Sequence, residues 1–110
     1  MSAKQERGNP FSVTATHATA AVASKAAAAS TKYFITDIAV SSDKAGAICL
    51  VKQGTTTLWQ MQVGTTAAGL QTYAHVFSTP LEAAVNALVS VEIDGTSACK
   101  ANISGFSLAA

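Results

Sequence analysis

Two histidines, two cysteines and six carboxylates are what this 110-residue chain offers for catalysis, and their spacing argues against it. Metal ligation needs His, Cys or carboxylate ligands at short fixed intervals, such as two cysteines two residues apart. Here His17, His75, Cys49 and Cys99 each stand alone. His17 falls in an Ala/Thr run and His75 two residues from both Tyr73 and Phe77, so each reads as a hydrogen-bonded strand residue. A dyad of His75 with Cys49 or Cys99 would need a nucleophile turn and a third group to orient the base. Neither is legible. Glu92 and Asp94 alternate onto one outward face, but a glycosidase needs two carboxyls flanking a bound sugar, one with a raised pKa. Next to a turn, such a pair reads as a solvated edge that discourages strand-to-strand aggregation. Gly64-Thr65-Thr66-Ala67-Ala68-Gly69 lacks the Lys-Ser or Lys-Thr of a phosphate loop. Trp59, the only Trp, reads as a core anchor rather than a sugar platform. The residues point to a non-enzyme with no cofactor and no metal.

The elements that would position these residues are short strands. Phe34, Ile38 and Val40 share one side of a strand over about Tyr33–Ser41, and Ser42-Asp43-Lys44-Ala45-Gly46 reads as a turn with Gly supplying positive φ. Ala47–Lys52 is apolar on both sides, as a central strand is. Gln53-Gly54-Thr55 turns the chain into Thr57–Val63, where Trp59, Met61 and Val63 alternate inward and Gln60 and Gln62 outward. A loop over Gly64–Gly69 leads to a strand from Leu70 to Phe77. Thr79-Pro80-Leu81-Glu82 resembles a capping box, and Leu81, Val85 and Leu88 have the spacing of one or two helical turns. Val89, Val91 and Ile93 then face inward, and Asp94-Gly95 signals a hairpin. In the last strand Cys99, Ala101 and Ile103 alternate inward until Gly105, where the apolar phase passes to Phe106 and Leu108, suggesting a β-bulge.

Towards the N-terminus the signals are weaker. Met1 to about Pro10 is polar and ends in a turn signal, so it reads as a loose arm. Nine of the fifteen residues from Ala15 to Ala29 are Ala, which favours a helix by propensity. Yet Val22 is the only sizeable apolar group there, too little for a helix to bury a stripe. A strand over about Val13–Val22 fits better. The sum is an all-β fold, an antiparallel β-sandwich or jelly roll of seven or eight short strands. Residues 1–20 form its flexible arm with the start of the first strand, and 21–110 its body. The core anchors are Phe34, Trp59, Met61, Val91, Ile93 and Phe106.

Composition narrows the function classes. The net charge is +1 with charges scattered singly, so no basic stripe exists to displace counterions from nucleic acid. No window approaches the eighteen apolar residues of a membrane span, and the N-terminus has no apolar signal core. These features predict a soluble chain made in a reducing cytosol. There Cys49 and Cys99 read as two small buried thiols, a bridge between neighbouring strands being the alternative. Charged residues make up 12%, about half the usual share. With many Ala, Ser and Thr, such a body suits contact with other proteins over much of its outside.

The polar arm, the Ala/Thr-rich first strand, Tyr33-Phe34-Ile35-Thr36-Asp37-Ile38, Val89 to Gly95, and Ala101-Asn102-Ile103-Ser104-Gly105-Phe106 together carry a resemblance. They look like the small β-sandwich structural proteins of tailed bacteriophages, and among these resemble jelly-roll capsid decoration (cement) proteins. The resemblance covers most of the chain in pattern. It implies a virion protein synthesised in the host bacterial cytoplasm and placed on the outer capsid surface, a homotrimer that joins neighbouring major capsid subunits. It implies no catalytic residues. The capsid contact would fall to the arm, with Arg7, Asn9, Pro10, Phe11 and Val13 as its contact residues. A tail-fibre or head-fibre module that binds host-surface glycans is the second expectation, and an exposed Trp or Tyr facing a groove would favour it.

Overall fold

The computed structural model describes residues 8–63 and 69–109. Eight strands follow one another with no helix among the described residues: β1 (Asn9–His17), β2 (Ala20–Lys25), β3 (Thr31–Ser42), β4 (Ile48–Gln53), β5 (Thr56–Gln62), β6 (Gln71–Glu82), β7 (Val89–Asp94) and β8 (Cys99–Ala109). They form two four-stranded antiparallel sheets, β1-β8-β3-β6 (sheet A) and β2-β7-β4-β5 (sheet B). The pairs β1/β8, β2/β7, β3/β6 and β4/β5 are those of a chain folded in half as one long hairpin. The pairs β8/β3 and β7/β4 roll that hairpin into two facing layers. This is the jelly-roll form of the β-sandwich.

The core is aliphatic and small. Ile35, Ile38, Val40 and Ile103 from sheet A meet Val51, Val89, Val91 and Ile93 from sheet B, all at most 2% exposed. Val91 and Ile93 thus serve as core anchors. Tyr33 is buried with them and donates its hydroxyl to the Ala26 carbonyl at 2.6 Å. Its ring meets Phe11 edge to face at 5.4 Å.

The other anchors sit elsewhere. In β3 the buried residues run Tyr33, Ile35, then Ile38, Val40 and Ser42. Register shifts between Ile35 and Asp37 against both neighbours: against β8, Thr36 is an extra residue that reverses the pleat, while against β6 it is β6 that has the surplus, residues 77–80 facing Thr36. Phe34 therefore lies on the outer face, opposite Phe106, with the two rings stacked 5.0 Å apart. The bulge belongs to β3, not to Gly105: Cys99, Ala101, Ile103 and Gly105 stay inward in an unbroken alternation. Gly105 answers the bulge from across the ladder. A Cβ there would lie 2.0 Å from the Phe34 carbonyl oxygen. Trp59 and Met61 do share the inward side of β5, opposite Val51 and Cys49. However, β5 is the outer strand of sheet B, and Met61 remains 37% exposed.

Three turn assignments also change. Residues 79–82 continue β6 rather than starting a helix, and Pro80 is accommodated because β6 is an edge strand. Asp94-Gly95 does not close a hairpin, since β7 and β8 lie in different sheets; the segment is a corner between layers. The Val13–Val22 strand is divided at Ala18-Thr19 into β1 and β2, again in different sheets. The two-residue loop Gly54-Thr55, by contrast, is a true hairpin between β4 and β5 with positive φ at Gly54. The expected loop over Gly64–Gly69 lies, save Gly69, outside the described residues.

Candidate protein interface

The residues that could have done chemistry are held as structure. His17 Nδ1 accepts the backbone N–H of Thr19 at 3.1 Å and of Ala20 at 3.2 Å, capping the β1–β2 corner. His75 stacks on Trp59 with centroids 5.0 Å apart, and its Nδ1 lies 3.1 Å from the Tyr73 hydroxyl. Cys49 and Cys99 are both free and buried. Burial pushes the Cys49 thiol up to about 12. Burial also raises Cys99, whose thiol donates to the His17 carbonyl at 3.2 Å. A protonated, enclosed thiol is a poor nucleophile.

Glu92 and Asp94 share the outer face of sheet B, each held by a lysine: Lys52–Glu92 at 3.1 Å and Lys44–Asp94 at 2.6 Å. Burial pushes the Asp94 carboxyl up, but the Lys44 ammonium and the Ile48 N–H outweigh it, so its pKa ends below the usual value. That is opposite to what a general acid needs. Among the described residues no three His, Cys, Asp or Glu side chains gather as a metal site would require. Among the described residues, too, no helix is long and apolar enough to cross a membrane.

The broadest continuous surface is the outer face of sheet A. Register places Thr14, Asn102, Ala39 and Ala74 side by side across its four strands, with Thr16, Lys100, Ser41 and Thr72 in the next row. Ser12, Ser104, Asp37 and Val76 form the row on the other side of that line. These side chains are short, and several are locked. Asn102 Nδ2 donates to Thr14 Oγ1 at 2.8 Å and Ser12 Oγ at 3.1 Å, while Ser104 donates to Asn102 Oδ1 at 3.1 Å. The result is a surface mostly of short side chains, several with little rotamer freedom left to lose, carrying Asp37 and Lys100 and, towards one end, the Lys32–Glu82 ion pair. Val76, at the strand edge, is 75% exposed.

Sheet B presents a smaller outer face. Val22, Ile48 and Leu50 surround a shallow hollow beside Glu92 and Asp94.

The arm residues of the sequence reading fall into this architecture rather than outside it. Asn9, Pro10, Phe11 and Val13 belong to β1 and pair with Ser107, Phe106, Gly105 and Ile103. Phe11 and Val13 turn inward and pack, partly buried, against the core. Pro10 is exposed, as an edge strand permits. Arg7 lies outside the described residues. The chain matches no protein-family model and shows no significant sequence similarity to a curated protein. The sheet A face escaped the sequence reading, though the outward alternation Ser12, Thr14, Thr16 was a usable signal.

Proposed function

We propose that this chain is a virion structural protein, a capsid decoration protein that seats on the outside of a bacteriophage head. The observation that carries this reading is the pairing of a jelly-roll body with the flat, short-side-chain outer face of sheet A. An enzyme or small-ligand carrier needs concavity with convergent polar groups. A lattice-binding protein needs a broad surface that can be dehydrated at little expense, repeated in many copies. Short Ala, Ser and Thr side chains, with Ser12, Thr14 and Ser104 already hydrogen-bonded through Asn102, support that reading, and Asp37 and Lys100 are the charges on the face that such a contact would have to pair. Modest attachment at each site becomes strong when copies engage the lattice together. In this reading the major capsid protein is the partner and copies of the chain associate as a homotrimer.

The contact moves from a free arm to the sheet face that the arm residues help to build. Deleting residues 1–12 would remove part of β1 and test stability instead. Ala39→Arg is the better probe, because it sets a charged, bulky side chain in the middle of the sheet A face. Sedimentation with expanded heads of the phage encoding the chain should then show occupancy reduced at least tenfold, with an unchanged thermal transition. Undiminished occupancy would refute the assignment of this face. The glycan-binding alternative gains no support, since Trp59 is half-buried, stacked on His75 and in edge-to-face contact with Phe77.

A further inference from the structure

Most of the described charges have a partner inside the chain. Lys32–Glu82, Lys44–Asp94 and Lys52–Glu92 form ion pairs. Lys25 lies over the Phe11 ring, and Asp43 is held by Thr96 and Ser97. Lys100 and Asp37 differ. Among the described residues Lys100 has no ionic partner, and Asp37 has only the hydroxyl of Thr36 beside it, at 2.8 Å. Both lie on the outer face of sheet A, one row either side of its middle. The most exposed large apolar side chains among the described residues stand there too. Val76 is 75% exposed and Leu70 66%, and Leu70 shares a hollow with Ser41, Thr72 and Lys100.

We infer that the free protein pairs with a second copy through this face, about a two-fold axis lying along the middle row Thr14-Asn102-Ala39-Ala74. The row Thr16-Lys100-Ser41-Thr72 lies two residues to one side of that line, and the row Ser12-Ser104-Asp37-Val76 lies to the other. An axis in the plane of the face exchanges these rows between copies. Lys100 then stands over Ser104 of the second copy, and Asp37 of that copy is one strand away, about 5 Å and within reach of a lysine side chain. Leu70, leaning over Thr72, meets Val76 of the second copy. Each contact forms twice, as an isologous interface requires. Within one copy the two charges cannot meet, because Lys100 is four residues from Ser104, the residue opposite Asp37, about 14 Å along the ladder. Small side chains on the axis, Ala39 and Ala74, let the faces approach. A second copy is the occupant because it alone carries the matching anion, cation and apolar groups on the page, at the matching rows.

Three rows by four strands cover on the order of 400 Å² per copy, at the low end of specific interfaces, so the pair is weak and exchanges. One face cannot hold a shell and a second copy at once. The pair therefore belongs to the protein before head binding, and the trimer proposed above forms on the head. The inference does not rest on the capsid reading.

Sedimentation equilibrium on the purified chain, in a concentration series up to millimolar, tests it without phage heads. The wild type should move from 11.1 kDa towards twice that mass. Lys100→Glu and Asp37→Lys should each raise the dissociation constant at least about tenfold, because each sets like charges opposite one another at both contacts. Mixed in equal amounts, the two variants should pair about as well as the wild type, since every reversed charge then faces its opposite. Val22→Lys, on the outer face of sheet B, should change nothing. A wild type that stays a single chain, or that forms a trimer in solution, overturns the inference. So does a mixture that fails to pair while both variants keep the wild-type thermal transition. Reversals that spare pairing but lower head occupancy would assign the two charges to the shell and overturn it as well. Pairing as expected with no head binding would count against the capsid reading and leave this one standing.

Discussion

Single residues carry much of the local logic. Asp43 clasps the corner between β7 and β8: its carboxylate accepts the N–H of Thr96 at 2.8 Å and both the N–H and the hydroxyl of Ser97, the latter at 2.5 Å. The Ser97 hydroxyl and backbone N–H groups hold the Asp43 carboxyl far below the usual carboxylate range. A group depressed in the folded state stabilises it fully above the unfolded-state pKa of about 4, and that contribution fades as pH falls below it. Stability followed by urea unfolding should therefore decline below about pH 4, and Asp43→Asn should flatten that decline. At Gly105 the constraint is steric. Gly105→Ala should cost about 1–3 kcal/mol, the range for overpacking, because the new methyl meets the Phe34 carbonyl. Cys49 and Cys99 should resist alkylation in the native protein and react once it is unfolded. Partial labelling of Cys49 in the folded state would contradict its enclosure.

At the scale of elements, the bulge at Thr36 decides which residues of β3 are core. Ile35→Ala should cost about 2–5 kcal/mol, and Phe34→Ala, on the outer face, distinctly less. Chemical denaturation of both variants would check the assignment, and the reverse order would refute the phase. The same element shows where sequence was legible. Val89, Val91 and Ile93 alternate cleanly in a central strand with no interruption, so their burial could be read directly. So could the Gly54-Thr55 hairpin, whose turn chemistry is local. Phe34 could not, because an extra residue reverses the pleat and nothing in Ile35-Thr36-Asp37 announces it. Asp94-Gly95 misled for a related reason: hairpin residues also suit a corner between sheets, and only long-range pairing separates the two. The helix expected near Leu81 lost to β6, whose pairing with Ile35 through Leu81 outweighed a local capping pattern.

At the scale of the whole molecule, the jelly roll brings the first and last strands, β1 and β8, side by side in sheet A. Most of its strand pairs join residues distant in sequence, so folding should be slow for its size, in milliseconds to seconds, as stopped-flow refolding would register. The sheet A face could not be foreseen from composition alone, since low charge and many Ala and Thr residues do not say which ones share a surface. Register supplies that.

A cryo-EM map of the phage particle whose genome encodes the chain tests this account most directly. It should show copies of the eight-stranded sandwich on the outer surface of the head, sheet A turned towards the shell and spanning junctions between major capsid subunits. A particle whose head surface lacks this density, or one that seats the protein with sheet A facing solvent, would contradict it.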